Sequence, residues 1–216
     1  MKIRLNKAHF PVRSLGPGER VGIWFQGCSI RCRGCVSLDT WGLRPETTVD
    51  ADEVIAWCWS HLAGGTDGLT VSGGEPFDQP EALIYILEKL KRLGDASELE
   101  FDILCYTGLH YHDVSQRFGP VLRLLDAIVS EPFEQNLPTQ KYLCGSDNQV
   151  LRILSEKGRQ RFERGGGRMA QEKHMGVNVG DDSVYLTGIP RGKDLEELRG
   201  ALAARGVKLG KTSWRE

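Results

Sequence analysis

The chain has no apolar run approaching the ~20 residues that a membrane-crossing helix needs, so a helical membrane protein is not expected. Neither sign of charge is in excess: 28 Lys and Arg stand against 29 Asp and Glu. No overall field therefore draws the protein towards nucleic acid or an anionic membrane. The opening MKIRLNKAHFPV has charges spread through it and lacks the apolar core and small-residue cleavage site of a secretory signal. Repeats and low-complexity tracts are missing, apart from the glycine run RGGGR at 164–168, which reads as a loop or linker. The expectation is a cytoplasmic protein with neither nucleic acid nor membrane as partner. Cysteine is scarce, six in 216 residues. In a reducing compartment clustered thiols are metal ligands or catalysts before they are a disulfide framework.

What is present is an alternation of β-rich and helical patterns. VGIWFQG (21–27), GLTVSGG (68–74), EFDILCYTG (100–108), DAIVSEP (126–132) and KYLCGS (141–146) read as five strands. Between them, DADEVIAWCWSHLAG is a helix with Asp50 as N-cap and Glu53 completing a capping box. QPEALIYILEKLKRLG places Leu83, Ile86, Leu87 and Leu90 at helical spacing, and DVSQRFGPVLRLL forms a third helix. Such alternation predicts an α/β fold with a mostly parallel sheet, open or partly closed into a barrel. Right-handed crossovers put the carboxyl ends of parallel strands on one rim, where α/β proteins gather their chemistry. The cysteine loop, SGGEP (72–76), YTG (106–108), SEP (130–132) and GSDNQ (145–149) all fall there. After residue 158 the pattern changes to a charged, glycine-rich stretch, a strand at 183–190 and a helix at 194–206, an added βα element.

The loop GCSIRCRGC (27–35) concentrates three cysteines, Cys28, Cys32 and Cys35, at spacings of four and three. Thiolates select zinc, copper(I) or iron-sulfur clusters. Structural zinc needs a fourth ligand, and the nearest candidates, His9, His61 and Cys58, are poorly placed for one. Cys58, Cys105 and Cys144 lack the hook that a ferredoxin-type fourth ligand would use. The economical reading is a cluster with one iron unligated by protein, and an open metal position is a catalytic one. At the next strand end, Gly73 and Gly74 permit close backbone approach, and the Glu75 carboxylate can pair with an ammonium group. Gly-Glu-Pro is also a common turn composition.

The cysteine triplet with Gly73-Gly74-Glu75 resembles the radical S-adenosylmethionine superfamily. GPGERVGIWFQGCSIRCRGC, DTW, SGGEP, YTG and GSDNQ, in that order over about residues 14–155, are similar to the small activating enzymes of anaerobic ribonucleotide reductases. The resemblance implies a partial (β/α) barrel and a 4Fe-4S cluster on Cys28, Cys32 and Cys35. It also implies S-adenosylmethionine chelating the fourth iron through its amino and carboxylate groups, held by Gly73, Gly74 and Glu75. Reductive cleavage would give a 5'-deoxyadenosyl radical that takes a hydrogen atom from a glycine of a large partner, with reduced flavodoxin or ferredoxin as electron donor. The implied division is a core at 1–158 with the single cluster and an extension at 159–216. Modification of a peptide or small molecule is the alternative activity. An iron-sulfur electron carrier or zinc module is the non-enzymatic one.

Other rim residues admit two readings. Thr107 and Ser130, at strand ends, and Ser146 and Asn148 in GSDNQ either face the cofactor or merely shape turns and caps. Arg31, Arg33 and Arg44 either offset cluster charge and dock an acidic donor or are solvated; Trp41 either shields the cluster or packs in the core. Cys58 and Cys105 read as structural, and His110 and His112 as surface residues. Three departures separate the chain from the activating enzymes it resembles: Cys144 stands where they carry arginine, SEPF (130–133) where they show an acidic residue followed by glycine, and the last sixty or so residues have no counterpart.

Overall fold

The computed structural model describes residues 1–163, 175–179, 184–191, 193–207, 209–210 and 212. Its main sheet contains β1 (Lys2–Val12), β2 (Arg20–Phe25), β3 (Thr48–Asp50), β4 (Gly68–Gly73), β5 (Asp102–Tyr106), β6 (Ala127–Ser130) and β7 (Val150–Ile153), in the order β3-β1-β2-β4-β5-β6-β7. The central β2, β4, β5 and β6 run parallel, while β1, β3 and β7 join antiparallel. The result is a mixed, mostly parallel α/β sheet with β3 and β7 as its edges.

Helices α1 (Ala51–Leu62) and α2 (Pro80–Ala96) cover one face. Val54, Ile55, Leu62, Leu83, Ile86, Leu87 and Leu90 bury against Val21, Ile23, Leu69, Val71, Ile103 and Cys105 of the strands. Alternate strand residues, with their period of two, turn to the opposite face: Leu104, Ala127 and Val129 join Leu143, Cys144 and Phe162, while Trp24 joins Val12 and Leu15. Cys58, Cys105 and Cys144 are all buried members of these clusters. Burial pushes the Cys58 thiol up to about 12, as expected of a packed rather than reactive cysteine. No helix among the described residues is long and apolar enough to cross a membrane.

Several elements differ from expectation. The charged amino-terminal stretch is a strand, β1, pairing with β2 and β3. Residues 141–146 are turns rather than a fifth strand: Leu143 has φ +60, and Cys144 N–H donates to Lys141 O. The strand comes later, at Val150–Ile153, and it is antiparallel to β6. GSDNQ still reaches the same rim because β7 begins there, Val150 lying opposite Ser130. The third helix divides into α3 (Tyr111–Arg117) and α4 (Gly119–Leu122), since Pro120 has no N–H to continue the ladder. Asp50 caps α1 by accepting from Asp52 N–H rather than closing a box with Glu53. After α5 (Glu156–Gly158), the carboxyl-terminal part holds a two-stranded antiparallel sheet, β8 (Met175–Val179) and β9 (Val184–Gly188), then α6 (Asp194–Ala203), where one strand and one helix were expected. The RGGGR run and most of the tail lie outside the described residues.

At the end of the sheet opposite the rim, Arg20 and Asp102 form a fully buried ion pair, with carboxylate oxygens 3.0 and 2.5 Å from Arg20 Nη1 and Nη2. Arg20 also donates to Thr70 Oγ1 at 2.7 Å and Leu69 O at 2.9 Å, and its guanidinium lies over the Phe162 ring. The pair ties β2, β4 and β5 together. Removing one partner strands a buried charge, so Asp102→Asn is expected to cost about 3–5 kcal/mol. At roughly 2–4 °C per kcal/mol for a chain of this size, thermal unfolding should show a fall on the order of 10 °C. Replacing Arg20 and Asp102 together with Met and Leu should recover much of that loss.

Candidate metal and cofactor site

The cysteine loop leaves β2 at a seam of backbone contacts. Gln26 is buried under it, donating to Asp39 O and Gly42 O at 3.0 and 2.7 Å, while Gly27 N–H donates to Thr40 O at 2.7 Å. These bonds draw the base of the loop shut. The end of β4 then locks on: Gly74 N–H donates to Phe25 O and Glu75 N–H to Gly27 O, both at 2.9 Å. A Cβ on Gly74 would stand 2.0 Å from Gly27 O, and one on Gly73, with φ +110, 2.3 Å from Phe25 N. Gly74 is therefore demanded by the root of the cysteine loop, and Gly73 by the end of β2 that leads into it.

Cys28, Cys32 and Cys35 are free, half-buried thiols. All three line one cavity of about 130 Å³ with Gly73, Gly74, Glu75, Thr107 and Gly108, well above the ~30 Å³ share of one water. Burial pushes all three thiols up, partly offset by N–H groups: those of Arg31 and Ile30 near Cys28, Phe133 near Cys32 and Ser37 near Cys35. Ser37 N–H lies 3.3 Å from Cys35 Sγ. Such thiols ionise when a metal takes the proton's place. Among the described residues no three His, Cys, Asp or Glu side chains converge as ligands of a single ion. Three thiols lining one cavity are a donor set that fits an iron-sulfur cluster. Among the described residues one buried polar atom of the cavity wall, Tyr106 OH, has no hydrogen-bond partner. The Trp41 indole lies close enough to Cys35 to favour its thiolate. N–H donors of this kind tune cluster sulfurs.

Glu75 is fully buried. Its Oε1 accepts from Thr107 Oγ1 at 2.8 Å and Phe77 N–H at 3.1 Å, and its Oε2 from Gly108 N–H at 2.9 Å. Burial nevertheless outweighs these donors and raises its pKa to about 7. A desolvated carboxylate so poised is stabilised by a cation arriving in the cavity. Thr107 is committed to Glu75 and to Leu109 N–H.

The remaining expected residues take other posts. Ser130 is buried at the end of β6, donating to Glu131 Oε1 and accepting from Arg152. Ser146 Oγ accepts from Glu134 N–H, and Asn148 Nδ2 donates to Pro132 O at 2.7 Å, leaving its buried Oδ1 unpaired. Neither these two nor Ser130 lines the cavity; they brace the loop at 131–134. Tyr106, Ser72, Phe133 and Gln149 do line it. Of these, Tyr106 was readable as the last residue of β5 on the face shared with Leu104. Arg31 and Arg33 are exposed beside the cysteines, and Arg44 is half-buried. The SEPF departure has a conformational explanation: Glu131 has φ +83, the left-handed region that glycine occupies freely. His110 Nδ1 at 2.6 Å, Tyr111 N–H at 3.2 Å and Arg152 at 3.5 Å hold its carboxylate in place.

Because Gly74 touches the cysteine loop directly, Gly74→Ala is expected to force the seam apart. Iron bound per chain after anaerobic reconstitution should fall by more than half, while far-ultraviolet circular dichroism stays that of the parent.

Residues 14–152 match the family model of the 4Fe-4S single cluster domain. The chain is 34% identical over 139 residues to the anaerobic ribonucleoside-triphosphate reductase-activating protein of Enterobacteria phage T4, covering 63% of this chain and 85% of that protein. It is 30% identical over 151 residues to the protein of the same name from Salmonella typhi, covering 68% and 96%. To the pyruvate formate-lyase-activating enzyme of Streptococcus mutans it is 28% identical over 152 residues, covering 67% of this chain and 57% of that enzyme. The matched region spans the cysteine loop and every strand end on the cavity wall. The chain belongs to the 4Fe-4S single cluster domain family, as a radical S-adenosylmethionine enzyme of the activating-enzyme type whose cofactors are a 4Fe-4S cluster and S-adenosylmethionine.

Proposed function

We propose that the protein activates a glycyl-radical partner enzyme, its core at 1–158 forming a partial barrel of the radical S-adenosylmethionine type and 159–216 an extension. The observation that carries this reading is the single cavity on which three thiols, a buried carboxylate and the unpaired Tyr106 hydroxyl converge. Cys28, Cys32 and Cys35 would hold the cluster, with S-adenosylmethionine bound beside it in the same cavity. A bound 4Fe-4S cluster would supply one-electron chemistry for reductive cleavage of S-adenosylmethionine, the reaction that hydrogen abstraction from the partner would need. The chain's own residues bind and orient. Glu75 and the backbone of Gly73 and Gly74 hold the methionine ammonium; Trp41 directs its N–H towards Cys35 and keeps water from that side. Thr107 fixes the Glu75 carboxylate against β5. The names of the relatives, which activate ribonucleotide reductase or pyruvate formate-lyase, support a glycyl-radical partner. Exposed Arg31 and Arg33 next to the cysteines suit an acidic donor such as reduced flavodoxin or ferredoxin.

Reconstituted protein reduced with dithionite should convert S-adenosylmethionine to 5'-deoxyadenosine, and Cys32→Ala should lose that product. Retained cleavage in the variant would remove Cys32 from the ligand set. The Glu75 carboxyl, with its pKa raised to about 7, is neutral below that pH and anionic above it. Affinity for the ammonium-bearing cofactor should therefore rise with pH up to about 7, by at most about tenfold per unit, and then level off. Glu75→Gln should flatten this profile in equilibrium binding measurements.

A further inference from the structure

The carboxyl-terminal hairpin lies outside the matched region, yet it packs on the sheet face that carries the rim residues. Ser14 Oγ donates to Thr187 Oγ1 at 3.3 Å within the buried contact, and Ile189 packs on Val12, Leu15 and Trp24. His9 stacks on Tyr185, and Arg191 donates to Gln140 Oε1 at 2.9 Å. The hairpin is thus fastened to β1 on one side and to the loop after β6 on the other. Beneath it lies a second cavity of about 220 Å³, roofed by Met175, Leu186, Ile189 and Leu195. It shares Cys35, Ser72, Tyr106, Phe133 and Gln149 with the cofactor cavity, so an occupant sits beside the cluster loop.

The lining selects the occupant's chemistry. Among the described residues Lys7 is the one cation in the wall, and Asp39 faces it at 3.8 Å, so they leave no uncompensated charge to attract an anionic metabolite. The roof is apolar, and Tyr106 OH supplies a buried donor with no partner. At ~220 Å³ the space is below the ~300–1,000 Å³ of drug-sized sites and too narrow for a folded loop. We infer that β8, β9 and α6 form a substrate-selecting wall: it admits an extended, glycine-bearing peptide segment whose neighbouring apolar side chain fills the roofed cavity and whose carbonyl accepts from Tyr106 OH. This rests on the glycyl-radical reading above and names the part of the partner that enters.

The probes are capped pentapeptides with a Cα-deuterated central glycine, preceded by Ala, Leu, Phe or Glu. With dithionite as reductant, abstraction breaks the glycine C–D bond and forms a C–D bond at C5', so mass spectrometry of 5'-deoxyadenosine counts transfers. Deuterium transferred per 5'-deoxyadenosine should be about tenfold or more higher for Leu and Phe than for Ala or Glu, the worth of burying one apolar side chain. Ile189→Trp, which fills the cavity, should erase that preference, and Leu195→Ala, which enlarges it, should move it towards Phe. Isothermal titration of the same peptides into reconstituted protein should show the same ranking. Equal transfer from all four peptides, no transfer while 5'-deoxyadenosine forms, or a ranking unmoved by both variants would overturn the wall. If the parent forms no 5'-deoxyadenosine, the functional reading fails and the titration ranking alone decides the wall.

Discussion

The site depends on one close approach, that of the Gly74 backbone to Gly27 at the root of the cysteine loop. The carbonyl of Gly27 lies where any side chain at residue 74 would begin, and it accepts from Glu75 N–H. Two adjacent parallel strands, β2 and β4, are thereby joined beyond the end of their ladder. The loop that carries the thiols and the turn that carries the carboxylate become one rigid piece. Glu75 extends the piece to a third strand by accepting from Thr107 and Gly108. Support of this kind holds the three thiols and the carboxylate on one cavity.

Electrostatics in the cavity are arranged for cargo. Burial raises the three thiols and the carboxylate alike, so each group is costly in its charged form until a counter-charge arrives. In the function proposed, iron would offset the thiolates and an ammonium group the carboxylate. The same burial at Cys58 and Cys105, away from the cavity, only makes those thiols inert packing groups. Location on the rim separates the two sets.

Much of this was legible in the sequence because the informative residues sit at strand ends. The alternation of β and α patterns fixed the four parallel strands, and the spacing of Cys28, Cys32 and Cys35 marked the loop. Three features were hidden. β1 carries charges on a strand one place from the sheet edge, so its periodicity is weak. The apolar run at 141–144 has strand composition, but Leu143 adopts a positive φ, and hydrogen bonds from Gly145 and Ser146 N–H to Gln149 set a turn instead. Glu131 keeps a left-handed backbone without being glycine, held by tertiary partners that composition does not reveal. Ser130, Ser146 and Asn148 were marked by their place on the rim, yet their side chains turn to neighbouring loops. The cavity wall formed by Tyr106, Phe133 and Gln149 depends on how distant loops fold over one another.

The central claim is an iron bound by three cysteines' cluster but by no fourth side chain, open to the amino group of S-adenosylmethionine. Electron–nuclear double resonance on the reduced, reconstituted protein with amino-15N-labelled S-adenosylmethionine tests it directly. A 15N coupling to the cluster that appears only with the labelled cofactor is the predicted result. A cluster spectrum indifferent to bound S-adenosylmethionine, with a protein nitrogen or a fourth thiolate on the remaining iron, would contradict the account.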